Sequence, residues 1–133
     1  ETRFEYLKNN ISNYNFSNIK IYKGDSIEIL NNFKENIDAI FVDPPWGGPN
    51  YKEDDNLEIK LSNLTLDKLC NLLLNYSYQG NKAKIIVLKL PYNYDYSEIL
   101  NNCKDLIKLS NTYKVGNINY LIILVRSVIE KEI

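Results

Sequence analysis

Ala39-Ile40-Phe41-Val42-Asp43-Pro44-Pro45-Trp46-Gly47-Gly48-Pro49-Asn50-Tyr51 begins as an apolar run and then breaks off. An unbroken apolar run marks a strand covered on both faces of its sheet, as in α/β folds. Asp43 precedes a proline, which drives it toward the extended region. Pro44 and Pro45 lack the N–H that would continue a ladder, so the strand must end with the Asp43 carboxylate at its carboxyl tip. In open α/β sheets ligands bind in the crevice beyond such tips. An acid, a free proline carbonyl and the Trp46 indole arrive there together, and Gly47 and Gly48 let backbone approach a ligand closely.

Working outward, the upstream chain reads as a helix over 3–15 carrying Phe4, Leu7 and Ile11 at helical spacing. Ile19 to Tyr22 reads as a short strand, and Gly24-Asp25-Ser26 turns from it into a helix over 27–33 capped by Asp25 or Ser26. Downstream, 47–63 is polar, with Glu53, Asp54 and Asp55 at its middle, and reads as a surface loop. Thr65 caps a helix from Leu66 to about Tyr78 whose apolar face holds Leu69, Leu72, Leu73 and Tyr76. Lys84 to Leu90 is a second buried parallel strand, stopped by Pro91, so its tip too reaches the crevice. A helix begins at Asp95 or Ser97 and runs to Lys104 or beyond, and 107–113 and 119–126 form an antiparallel hairpin about Val115-Gly116-Asn117. The expectation is one α/β domain over 1–133 with a mixed sheet.

Composition sets the outer bounds. The chain has 133 residues, enough for one domain, with 16 Lys plus Arg against 17 Asp plus Glu. No overall positive field draws it to nucleic acid, so contact with a polyanion must be local. With 0 His, imidazole metal sites and His-dependent triads are excluded, and no metal is expected. Cys70 and Cys103 lie far apart in helical stretches and read as buried, reduced thiols rather than a disulfide or metal site. No apolar segment approaches a membrane span and no signal peptide is visible, so no membrane association and an intracellular location are expected.

Asp43-Pro44-Pro45-Trp46 resembles the Asp/Asn-Pro-Pro-aromatic motif of methyltransferases that modify exocyclic amines, and the extension through Gly47-Gly48-Pro49-Asn50-Tyr51 resembles the trimethylguanosine synthase family. The resemblance implies a Rossmann-like class I methyltransferase fold, of which this chain would supply the C-terminal two-thirds of a mixed seven-stranded sheet. A Gly-x-Gly loop for the amino-acid end of a nucleoside cofactor is not found among the 5 glycines. The implied cofactor is S-adenosylmethionine, held by Asp25, Ser26, Asp43 and Pro45, with Asp25 accepting from the adenine amino group. Asp25 equally reads as a plain helix cap, and the two roles are compatible.

The implied substrate is the 2-amino group of a 7-methylguanosine cap, on small nuclear and nucleolar RNA. Catalysis falls to Asp43 and Pro44, and substrate binding to Trp46, Gly47, Pro49, Asn50, Tyr51, Lys89 and Asn93. Arg3, Asn9 and Asn10 sit where the family has a basic residue and paired asparagines. Leu90-Pro91-Tyr92-Asn93 departs from the family's frequent Leu-Pro-Arg-Asn, whose arginine contacts the cap phosphates, so either Lys89 or Lys52 replaces that guanidinium or phosphate binding is weaker. Lys89 also has the ordinary reading of a strand-end lysine, and Trp46 that of a core indole, against which the following Gly-Gly-Pro argues. The resemblance further implies nuclear, possible snRNP-associated work by a monomer. Two other functions fit the same residues: amino methylation of guanine or adenine in other RNA or DNA, and non-catalytic cap or RNA binding.

Overall fold

The structure is a computed structural model that describes residues 2–15, 17–48, 50–53, 57–80 and 83–126. It divides into two compact units, Glu1–Lys34 and Glu35–Ile133.

In the first unit α1 spans Thr2–Asn13 and α2 spans Ser26–Asn31. Asp25 is the N-cap of α2: its Oδ1 accepts the N–H groups of Ile27 at 2.9 Å and Glu28 at 3.2 Å, satisfying two donors that a helix start leaves without partners. Tyr22 and Phe33 meet edge to face at 6.1 Å. The strand expected at Ile19–Tyr22 is not formed. These residues make no ladder, and Ile19 and Tyr22 are exposed, so the β-branched content of the segment had no neighbouring strand to act through.

The second unit is built on a four-stranded sheet with β1 (Ala39–Val42), β4 (Ile85–Pro91), β5 (Ile107–Val115) and β6 (Ile118–Val125) in the order β1-β4-β6-β5. β1 and β4 are parallel, Val42 lying opposite Leu88, while β6 runs antiparallel to both β4 and β5. The final hairpin therefore inserts its second strand between β4 and β5. Gly116 makes that turn possible, because the first central residue has φ +58°.

Between β1 and β4 the chain makes a short antiparallel hairpin, β2 (Lys60–Leu61) and β3 (Leu64–Thr65), then α3 (Leu66–Gly80). The hairpin corrects the expectation of a plain loop through Asn63. Ser62 and Asn63 have φ of 53° and 63°, the paired positive values of a type I′ turn, and Ile59 just before it is buried. α3 packs on α4 (Ser97–Asn102), on the small hairpin and on β6. Its Leu66, Leu69, Leu73 and Leu74 are buried at helical spacing, with Leu72 and Tyr76 only half-buried.

β1 and β4 were expected to be buried on both faces. Instead they alternate: Val42, Ile86, Leu88 and Leu90 are buried beside Leu121 and Ile123, whereas Phe41 is 60% exposed. The register puts Phe41 with Val87, and Ile85 with Leu124, on the opposite side from Leu88 and Leu121. Among the described residues no helix is long and apolar enough to cross a membrane.

Candidate functional site

β1 ends at Val42, opposite Leu88 of the parallel β4, so the residues that follow Val42 and Leu88 lie beside each other where β1 leaves the sheet. Those residues are Asp43 and Lys89. Lys89 Nζ stands 3.8 Å from Asp43 Oδ2, with side chains 29% and 56% exposed, so the pair is open to ligand and weak as a stabilising element. Pro44 is buried and Pro45 exposed, which fixes the chain where it leaves the sheet.

Trp46 is held by two contacts. Its indole N–H donates to the Lys89 carbonyl at 3.3 Å, and its ring meets Tyr51 edge to face with centroids 5.0 Å apart and planes at 65°. The indole is half-buried, a platform with one edge tied down. Lys89 Nζ lies 6.0 Å from the Trp46 ring centroid, and Lys52 Nζ lies 5.9 Å from that of Tyr51, both at the outer limit of cation–π range.

Asn93, beyond the tip of β4, donates from Nδ2 to the Tyr51 carbonyl at 2.7 Å. With the indole N–H this makes two straps between the segment after β1 and the end of β4. Sequence reading placed Asn93 at the site but gave no sign of this anchoring. Gly47 and Gly48 have φ of +90° and +92°, values that side chains rarely tolerate, and a Cβ on either would meet nothing within 4 Å. Their need for glycine is conformational, and the space around them is open. Asn50 is exposed, its carbonyl accepting the Glu53 N–H at 3.1 Å in the short turn Tyr51–Glu53. Pro49 lies outside the described residues. Tyr92 is exposed, and its N–H bonds to the Asn117 carbonyl at 3.0 Å, tying the tip of β4 to the turn of the final hairpin.

Asp43, Trp46, Tyr51, Lys89 and Asn93 are thus brought together. Asp25 and Ser26 belong to the first unit, where Asp25 caps α2.

A separate cavity of about 270 Å³ lies where α3 and α4 begin, with Glu58, Asp67, Asp95 and Glu98 among its walls. The Thr65 hydroxyl donates to Asp67 and holds its carboxyl below the usual range, and burial pushes Tyr94 up to about 12. No group of His, Cys, Asp or Glu side chains among the described residues could hold a metal ion. Cys70 and Cys103 are free and buried, and burial raises both thiols.

The mixed four-stranded sheet with helices, carrying an acid, two prolines and an aromatic after one strand, fits a Rossmann-like methyltransferase fold. Residues 1–124 match the family described as RNA cap guanine-N2 methyltransferase, and the chain belongs to that family. It is also 36% identical over 104 residues to the uncharacterized protein L320 of Acanthamoeba polyphaga mimivirus, covering 77% of this chain and 39% of that protein. The chain therefore spans about two-fifths of the length of that relative. No solved structure matches it.

Proposed function

We propose that the protein methylates the exocyclic 2-amino group of a 7-methylguanosine RNA cap, using S-adenosylmethionine and forming dimethyl- and trimethylguanosine caps on small nuclear and nucleolar RNA. The observation that carries this reading is the convergence of the Asp43 carboxylate, the Trp46 indole and the Lys89 ammonium at two adjacent strand ends. Residues 1–133 would form part of the catalytic domain, working as a monomer in the nucleus with small nuclear ribonucleoprotein components as partners.

An aromatic amine is flattened by conjugation and is a poor nucleophile. Hydrogen bonds from its two N–H groups to the Asp43 carboxylate and the Pro44 carbonyl hold it in place and favour the pyramidal form that can attack. Holding two reactants in line contributes about 7–11 kcal/mol, more than a single acid–base group supplies, so a site without histidine loses little. Asp43 or water accepts the proton released once the nitrogen is alkylated. The bound cofactor would supply an electrophilic methyl group, and Asp25, Ser26 and Pro45 are the residues proposed to hold it.

Trp46 stacks the base, worth about 1–3 kcal/mol, and a desolvated 7-methylguanine cation adds up to about 2 kcal/mol that neutral guanine lacks. Gly47, Pro49, Asn50 and Tyr51 are the further residues proposed to bind the substrate. The test is methyl transfer by the intact protein from labelled S-adenosylmethionine to RNA bearing a 7-methylguanosine cap, an unmethylated guanosine cap or no cap. Label is expected on N2 of the first substrate alone. Trp46→Ala should weaken binding of 7-methylguanosine triphosphate by about 5- to 150-fold, the stacking contribution expressed in Kd. Equal labelling of both capped RNAs, or label on adenine, would overturn the cap assignment.

A further inference from the structure

Lys89 touches the Trp46–Asp43 pair twice over. Its carbonyl accepts the indole N–H at 3.3 Å, while its ammonium stands 3.8 Å from Asp43 Oδ2 and 6.0 Å from the indole ring centroid. A purine that stacks on this indole and turns an amine toward Asp43 competes with the ammonium for both groups.

We infer that Lys89 is a displaceable internal cation: an entering base drives its ammonium off Trp46 and Asp43, and the ammonium is recaptured by the phosphates that the same ligand carries. The inference rests on the purine-amine reading of the site and deepens it by giving one side chain opposite effects on the two halves of the ligand. Three features support the exchange. The side chain is flexible and 29% exposed, so it can leave without backbone change. An ion pair partly open to solvent at 3.8 Å and a cation–π contact at the outer limit of its range are each weak, so release is easy. Tyr92, the residue beyond Pro91, is neutral, and Lys89 and Lys52 are the cations that stand against the two aromatic rings of the site.

A nucleoside must displace the ammonium and gives it nothing in return, whereas a nucleoside triphosphate offers it a new anion. Removing the charge should therefore help the first ligand and harm the second. The test is calorimetry on the intact protein with 7-methylguanosine and with 7-methylguanosine 5′-triphosphate, comparing wild type, Lys89→Met and Lys89→Arg, with Lys89→Gln as a second neutral variant. Lys89→Met should bind the nucleoside about 2- to 5-fold more tightly than wild type and the triphosphate about 5-fold more weakly, while Lys89→Arg keeps the wild-type order.

A shift of both ligands in one direction overturns the inference: both weaker would make Lys89 a prop for the indole, both tighter a mere competitor. Guanosine triphosphate separates the two claims. If it binds as well as its 7-methyl form while the inverted response to Lys89→Met persists, the preference for a methylated cap fails and the role of Lys89 stands. If wild type binds none of the three, both fall.

Discussion

Alternate residues of the same strands build two unlike faces of one sheet. Ile86, Leu88 and Leu90 of β4, with Leu121 and Ile123 of β6, are buried on the side where α3 packs against β6. On the other side Phe41, Leu109 and Tyr113 keep 60%, 60% and 65% of their surface in solvent. Both sets are apolar or aromatic, so side-chain chemistry does not separate them. What separates them is a second layer: the leucine stripe of α3 supplies one, and an apolar side chain without a partner layer contributes little to stability however hydrophobic it is. The comparison also locates the site. Lys89 pairs in register with Tyr120 and carries its ammonium to Asp43, so the candidate site opens at the carboxyl end of the exposed face.

The most direct way to break the comparison is to cut into the covered face. Leu88 is fully buried between Val42 and Leu121 in register. Leu88→Ala removes buried methyl groups and leaves a cavity that a helix-backed sheet cannot close, so a loss of about 2–5 kcal/mol in urea unfolding is expected. A loss below about 1 kcal/mol would mean that this face is no better packed than the other.

The buried thiols of Cys70, on α3, and Cys103, at the end of α4, sharpen the same contrast through pH. Burial raises Cys70 and Cys103 above the ordinary thiol value. For an acid whose folded pKa is raised, stability is fully present below the unfolded pKa, about 8.5, and is lost as pH rises toward the folded value. Wild-type stability should therefore fall above about pH 8.5, with Cys70 contributing up to about 1.4 kcal/mol per pH unit. Cys70→Ala should remove that part of the slope. Thiol alkylation at pH 8 should be slow in the folded protein and prompt in denaturant, and fast labelling of native Cys70 would contradict its burial.

The residues that were legible in the sequence are those whose covalent geometry acts locally. The prolines at 44, 45 and 91 end two strands by lacking an N–H, and Gly116 announces a turn by its φ. The strand tips, and with them Asp43, Trp46 and Lys89, could therefore be placed before any coordinates. Burial was less legible, because an apolar strand records that it can be covered and not whether a layer covers it; Phe41 and Val42 look alike on paper. The Ser62-Asn63 hairpin escaped because neither residue is glycine, and only the asparagine hints at positive φ. The straps from Asn93 and the indole N–H were invisible because each joins residues more than forty positions apart, 42 and 43 respectively, through one hydrogen bond.

The smallest predicted effect is the sharpest check on the exposed face. Phe41 stands on β1, beside Val87 and two residues before Asp43, with 60% of its surface in solvent. Phe41→Thr keeps a residue with good strand preference while deleting most of its apolar surface. Surface changes away from caps and buried networks fall within about 0.5 kcal/mol, so urea unfolding should scarcely move, and binding of 7-methylguanosine triphosphate should stay within about twofold of wild type. A loss above about 1.5 kcal/mol would show that the face gains a covering layer in the intact protein, since only burial gives one ring that weight. A change confined to ligand binding would instead extend the site from the strand tips down onto the sheet.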